Sequence, residues 1–403
     1  MRRFAPLTAL VVVLAGVVAT VLVVAPERIE AGLNQKLEVD LPEPSEAARA
    51  LHERLWIADL HDDLLLWGRD PLVRSSRGHT DVPRLVDARV ALQVLGAVTK
   101  TPSGLNFESN SADAFDMITA LAIVQRWPPA TWWSLRERAL YIGRRFQALG
   151  PRSVGAVTPV RTGMDVDAAF YARRKGARGM GVMLSAEGLH MLEGRLETLE
   201  ELWDHGYRML APTHFFDNEV AGSAHGEEKG GLTPFGVRVV DRMQEIGFVI
   251  DLAHASPATI DDVLARAKSP VIVSHTGVQA TCPGPRNLSD AHLRAIAATG
   301  GLVGIGFFEG AVCDPSPDGI ARAIRHAADV VGVEHVALGS DWDGATSVVV
   351  GPGELVYVTD ALLRAGFSEA EVRGVMGRNA QRVLRAALPQ ATPGAPAGEP
   401  GRS

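Results

Sequence analysis

Imidazole and carboxylate side chains, His61, Asp63, Glu187, His214, His254, His275 and Asp341, stand at the ends of short runs rich in Val, Ile, Leu and Ala. Nitrogen and oxygen donors without thiolate suit zinc, with manganese, cobalt or iron as weaker matches. Side chains at i and i+2 of a strand end point the same way, so His61 and Asp63 can hold one cation together. His254 and His275 can hold another, and the two oxygens of Glu187 can bridge. Two cations roughly 3.5 to 4 Å apart share a hydroxide that is nucleophilic at neutral pH and polarise the bond under attack. The natural reaction class is hydrolysis of an amide or ester. A single histidine closing an apolar run is more often a satisfied interior residue. Two equivalent placements in successive units, His254 and His275, argue against that here.

Such convergence needs strands that end at one place. The stretches ending in His254 and His275 read as parallel strands joined by a helix through Ile260, Val263 and Leu264. Further strands are expected at Trp56–Leu60, Val90–Val98, Met180–Ala186, Tyr207–Thr213, Gly301–Phe307 and His335–Ser340, mostly separated by helical patterns. Eight strands in this alternation predict an α/β fold of the (β/α)8 TIM-type barrel, metal-dependent hydrolase-like, over residues 45–388. In a closed barrel the strand-end residues face one crater. A doubly wound open sheet is the alternative. Its nucleotide-binding versions are weakened because no glycine-rich phosphate loop follows the first strand. Residues 99–160, with Trp127, Trp132 and Trp133, exceed a plain crossover and read as a helical insertion near the barrel mouth, where it could shape substrate access.

An apolar fraction of 46%, a charged fraction of 22% and a net charge of -7 are globular values with no basic block, so nucleic acid is excluded as an expected partner. Cys282 and Cys313 are too few for a disulfide framework. One bridge between them is open, and free buried thiols are an equal alternative. At the N-terminus, Arg2 and Arg3 precede an uncharged stretch from Phe4 to Pro26. That is long enough to span a bilayer, since roughly 20 apolar residues are needed. Residues 1–26 are therefore expected as a transmembrane anchor that leaves the rest of the chain extracytoplasmic, periplasmic or at the cell surface. A signal segment removed by cleavage, giving a secreted protein, is the alternative. Residues 27–44 read as a linker and 389–403 as a disordered Pro/Gly tail.

The pattern resembles the membrane dipeptidase (renal dipeptidase) family of zinc metallopeptidases from about Trp56 to Leu388. The motifs that carry it are Asp59-Leu-His61-Asp-Asp63, Ser185-Ala-Glu187-Gly188, Thr213-His214, Gly231-Leu-Thr-Pro-Phe-Gly236, Ile250-Asp-Leu-Ala-His254-Ala-Ser256, Val273-Ser-His275, Arg286-Asn287 and Gly339-Ser-Asp341-Trp-Asp343-Gly344. What the resemblance implies is a dipeptidase with two zinc ions per chain. His61, Asp63 and Glu187 would hold one, and Glu187, His254 and His275 the other. His214 would steady the oxyanion and bind substrate, Arg286 would grip the terminal carboxylate, and Asp341 would move the proton. The expected partners are a dipeptide, a membrane through the N-terminal segment, and a second copy of the chain in a homodimer.

The motifs depart from the family pattern at Asp62, where asparagine is frequent, and at Leu189, where glycine is common; neither position supplies a ligand. Asp59, Asp251 and His190 read equally as partners that orient the ligands or as ordinary polar packing. His52, His79, His205, His225, His292, His326 and His335 read as structural or solvated. Two other functions compete. One is a different metal-dependent amidohydrolase, such as a deacetylase or lactonase, although those barrels typically open with His-x-His where this one has His-x-Asp. The other is a membrane-anchored binding protein that keeps the metal centre and has lost catalysis.

Overall fold

Short runs of buried aliphatic residues form a parallel sheet that closes on itself. The structure, a computed structural model, describes residues 24–390. Its strands are β1 (Ile57–Asp62), β2 (Val90–Leu95), β3 (Met180–Glu187), β4 (Tyr207–Ala211), β5 (Val249–Ile250), β6 (Ile272–Thr276), β7 (Leu302–Ile305) and β8 (Val336–Leu338). Every pairing is parallel, and the order is β5-β4-β3-β2-β1-β8-β7-β6. The two end strands meet through a parallel bridge between Asp251 and Ile272, with Leu252 N–H donating to the Ile272 carbonyl at 2.8 Å. This is the curled barrel expected of a TIM-type fold, and the open sheet is ruled out. One connected apolar cluster takes residues from all of these strands, among them Leu60, Leu92, Met183, Met209, Val249, Ile272, Leu302 and Ala337. Such an interior is filled, so it leaves chemistry to the loops beyond the strands' C-terminal ends.

Local sequence starts the helices that wrap this sheet. Thr233-Pro234, Ser256-Pro257 and Ser316-Pro317 each place a hydroxyl that accepts a backbone N–H and a proline at the first helical position. In the helix Pro317–Val331, Ile320, Ala323, Ile324 and Ala327 recur at helical spacing and are buried.

The stretch after β2 holds the helices Met117–Val124 and Leu135–Arg152. Arg138 is 1% exposed and donates to the carbonyls of Thr131 and Thr99, each at 2.6 Å, and to Asp116 at 2.5 Å. A buried guanidinium must be paired throughout, so this one ties separate segments of the insertion into a unit that starts at Thr99, just past β2. The same stretch ends in a short strand, Val157–Pro159, that the sequence does not reveal. It pairs with Met180–Val182 of β3, below the residues Leu184–Glu187 that pair with β4. Three residues with only one fully buried are too few to show a period.

Part of the stretch read as a linker is packed on the barrel. Residues 24–33 are helical, Glu30 is buried in an ion pair with Arg69, and Gln35–Lys36 pairs with Ser347–Val348 in the loop after β8. Residues 1–23 of the expected anchor and 391–403 of the expected tail lie outside the described residues. Among the described residues no helix is long and apolar enough to cross a membrane.

Cys282 and Cys313 form a disulfide, which replaces the free-thiol alternative. It joins the loop after β6 to the end of the short helix Glu309–Val312 after β7. Because the cross-link restricts the unfolded chain, Cys282→Ser with Cys313→Ser should lower unfolding free energy by about 2 to 4 kcal/mol in urea titrations. An unchanged midpoint would contradict a structural role for the bridge.

Candidate metal centre and active site

His61 lies within β1, Glu187 closes β3 and His275 lies within β6, as the sequence suggests. The other strands stop earlier than expected. His214, His254 and Asp341 stand three or four residues beyond β4, β5 and β8, on the loops at the barrel mouth. His254 and Asp341 have left-handed backbone, φ 62° each, which ends a strand and is costly for a residue with a Cβ. Asp63 has also left the strand, so the alternation argument holds for His61 alone; the two still meet, with Nε2 to Oδ2 at 3.5 Å.

Glu187 is the centre of the group. Its Oε1 is 2.8 Å from His61 Nε2, while its Oε2 is 3.0 Å from His254 Nε2 and 3.6 Å from His275 Nε2. His254 Nε2 and His275 Nε2 are 3.0 Å apart. Two donors on one tetrahedral zinc at 2.0 to 2.1 Å would be roughly 3.3 Å apart, so the spacing fits. The convergent donor sets are His61, Asp63 and Glu187, and Glu187, His254 and His275; a third, His61, His275 and Asp341, brings Asp341 to the same centre. All these residues are buried, and Asp63 Oδ1 has no hydrogen-bond partner. Buried polar atoms left without hydrogen bonds are costly unless a cation takes their lone pairs.

The electrostatics agree. Burial pulls the His61 imidazole down, but the Glu187 and Asp63 carboxylates outweigh it and hold its pKa well above the ordinary value. A field that retains a proton there also favours a metal cation. Burial, joined by the charge of Arg286 at His254 and of His61 at His275, keeps the other two imidazoles well below their ordinary values, in the neutral form that coordinates metal. Burial alone would raise Glu187, yet His61 and His214 hold it well below the usual carboxylate range.

Space is reserved for these groups. A Cβ at Gly96, just past β2, would lie 2.5 Å from Asp63 Oδ1 and 2.9 Å from His61 Cε1. One at Gly344 would lie 2.2 Å from Asp341 Oδ1. Behind them, Asp251 accepts from Ser274 Oγ at 2.5 Å, and Ser274 Oγ meets His275 Nδ1 at 2.8 Å, which fixes the ring. Asp59 instead accepts from Gln93 at 2.6 Å and from Ser340 N–H at 2.7 Å, tying β1, β2 and the end of β8 together. His190 turns to Thr99 Oγ1 at 2.9 Å and touches no donor of the centre, so it is packing. Burial, then the charge of Asp343, raises Asp62 well above the usual carboxylate range. Asp343 accepts from Thr80 Oγ1 at 3.0 Å and pairs with the buried Arg69.

His214 Nε2 is 3.5 Å from Glu187 Oε2. Arg286 is 5% exposed, donates to the His275 carbonyl at 2.9 Å, and leaves its Nε unpartnered. Both line a cavity of about 410 Å³ whose floor also includes Asp63, Glu187, His254, His275 and Asp341. His225, expected as structural or solvated, is buried and structural, with Nδ1 2.7 Å from the Phe107 carbonyl and its ring packed 5.3 Å from that of His254; the cavity's upper wall has no local signal in the sequence.

The sequence matches, over residues 45–393, the model of the family described as membrane dipeptidase (peptidase family M19). The chain belongs to this family. It is similar to the dipeptidase VerJ of Clonostachys rogersoniana, 32% identical over 231 residues that make up 56% of this chain and 58% of that protein. An uncharacterised dipeptidase of Schizosaccharomyces pombe is 32% identical over 234 residues, 55% of each chain. The chain thus spans little more than half the length of these curated relatives. Among solved structures, the probable dipeptidase PvdM of Pseudomonas aeruginosa superposes with a TM-score of 0.71 at 18% identity, covering 86% of this chain and 98% of that one. A metallopeptidase of Rhodobacter sphaeroides liganded with a phosphinate mimic of L-Ala-D-Ala superposes with a TM-score of 0.65 at 22% identity, covering 83% and 99%. At such identities these likenesses establish the fold of this family member.

Two substitutions separate ligand from support. His254→Ala should lose bound divalent metal by elemental analysis, and Ser274→Ala should weaken metal affinity roughly 10- to 100-fold in chelator competition. Wild-type affinity in Ser274→Ala would remove the orienting role of the Asp251, Ser274 and His275 chain.

Proposed function

We propose that this chain is a dipeptidase that holds two zinc ions and hydrolyses the amide of dipeptides with a free C-terminal carboxylate. One observation carries the reading: the oxygens of Glu187 are divided, one towards His61 and the other towards His254 and His275. His61, Asp63 and Glu187 would hold one ion, and Glu187, His254 and His275 the other. Ions bound there supply a hydroxide that is nucleophilic near neutral pH and polarise the carbonyl it attacks.

The remaining groups then take roles set by their chemistry. Arg286, a buried cation with an unpartnered Nε on the cavity wall, binds the terminal carboxylate through its planar fork. His214, on the opposite side of Glu187 from His61, donates to the oxygen that becomes negative. Burial, reinforced by Asp63 and Glu187 against the opposing charge of His61, raises Asp341 well above the usual carboxylate range. A carboxyl so placed takes a proton and passes it to the leaving amine. A lactonase or deacetylase reading gives the buried Arg286 no task.

Asp341→Asn should keep its metal and lose about 10²- to 10⁴-fold in kcat. Replacing the substrate's C-terminal carboxylate by an amide should cost roughly a hundredfold or more in kcat/KM, because the buried Arg286 is left unpaired. Equal rates on acid and amide would remove Arg286 from substrate binding, and metal-loaded protein inert towards every dipeptide would favour a binding protein.

We further propose that the catalytic domain is extracytoplasmic and anchored by the N-terminal segment. The uncharged stretch from Phe4 to Pro26 behind Arg2 and Arg3 supports this, as does the disulfide, which is rare in reducing compartments. The full chain should stay in the membrane fraction after an alkaline carbonate wash; its release would point to a cleaved signal.

A further inference from the structure

Above its polar floor, the cavity of about 410 Å³ is walled by side chains of a different kind. Leu105, Phe107, Met117 and Leu121 come from the insertion after β2, and Ile29 and Leu33 from the helix at residues 24–33. Leu105, Met117 and Leu33 are 45%, 47% and 46% exposed although they line a cavity, which is unusual for apolar side chains not meeting a ligand. No charged side chain stands among these wall residues. The wall is also held in place: Arg138 fixes the insertion, His225 holds the Phe107 carbonyl, and the Glu30 and Arg69 pair seats the N-terminal helix.

Its position relative to Arg286 gives direction. Arg286 rises from the loop after β6, whereas Met117 and Leu121 rise from the insertion after β2, and these strands lie across the barrel in the order β5-β4-β3-β2-β1-β8-β7-β6. A substrate gripped at its carboxylate by Arg286 and cleaved over Glu187 therefore turns its amino-side residue towards the apolar wall.

We propose that this chamber selects substrates whose amino-side residue carries a large apolar side chain, with Met117 and Leu105 as specificity-determining residues. The inference rests on the dipeptidase reading. Each methylene buried on the wall favours binding by roughly three- to fourfold, whereas a polar side chain there loses its water without a partner.

The test uses metal-loaded full-length protein and the series Ala-Ala, Leu-Ala, Phe-Ala and 2-aminodecanoyl-Ala, with Ala-Leu and Ala-Phe as the reversed pair. kcat/KM should rise at least about tenfold from Ala-Ala to 2-aminodecanoyl-Ala, and less along the reversed pair. By calorimetry, 2-aminodecanoate should bind about tenfold or more tightly than alanine. Met117→Asp and Leu105→Asp, at exposed positions where folding tolerates them, should each lower the ratio of 2-aminodecanoyl-Ala to Ala-Ala turnover by roughly tenfold. Equal kcat/KM along the series, or an unchanged ratio in both variants, overturns this inference while leaving the dipeptidase reading intact. Failure to cleave any member overturns both.

Discussion

A carboxylate cannot be buried alone, and the fold is arranged around one that is. Glu187 is 2% exposed and is met on both oxygens by imidazole nitrogens delivered from β1, from the loop after β5, and from β6. Desolvating such a charge costs several kcal/mol unless opposite charge compensates it. The protonated His61 imidazole supplies part of that charge, and divalent cations held by the same donors would supply the rest. The barrel's closure, the glycines at 96 and 344 and the polar layer behind the donors all serve to keep these distances short.

The same requirement explains local features that would otherwise weaken the protein. His254 and Asp341 sit in left-handed backbone, a strain of order 1 to 3 kcal/mol each that only a surrounding structure can hold. Asp251 and Ser274 fix His275, while Asp59 binds β1 to β2 and the end of β8. The loop bearing Arg286 is tied to the next one by the Cys282 to Cys313 disulfide. Strained positions of this kind persist only where the surrounding structure over-determines them.

The donors were legible in the sequence because each ends a run of buried aliphatic residues, and parallel strands buried on both faces read as continuous apolar stretches. The convergence of His61, Asp63, Glu187, His254 and His275 follows from that pattern once the strands close. Their exact distance from the strand ends was not legible. Positive φ at His254 and Asp341 leaves no mark on side-chain type, and β5 has two residues where the apolar run is longer. The short strand Val157–Pro159 and the docking of residues 24–36 depend on tertiary contacts, Glu30 with Arg69 above all, that no local period encodes. The apolar wall was hidden for the same reason: Ile29 and Met117 are far apart in sequence and line one cavity only in the folded chain.

The most direct measurement is diffraction from crystals grown with zinc, using anomalous scattering at the zinc edge to locate the ions. Two peaks roughly 3.5 to 4 Å apart, with Glu187 contacting both, His61 and Asp63 on one, and His254 and His275 on the other, are what this account predicts. A single peak, or a pair of which Glu187 touches only one, would contradict it.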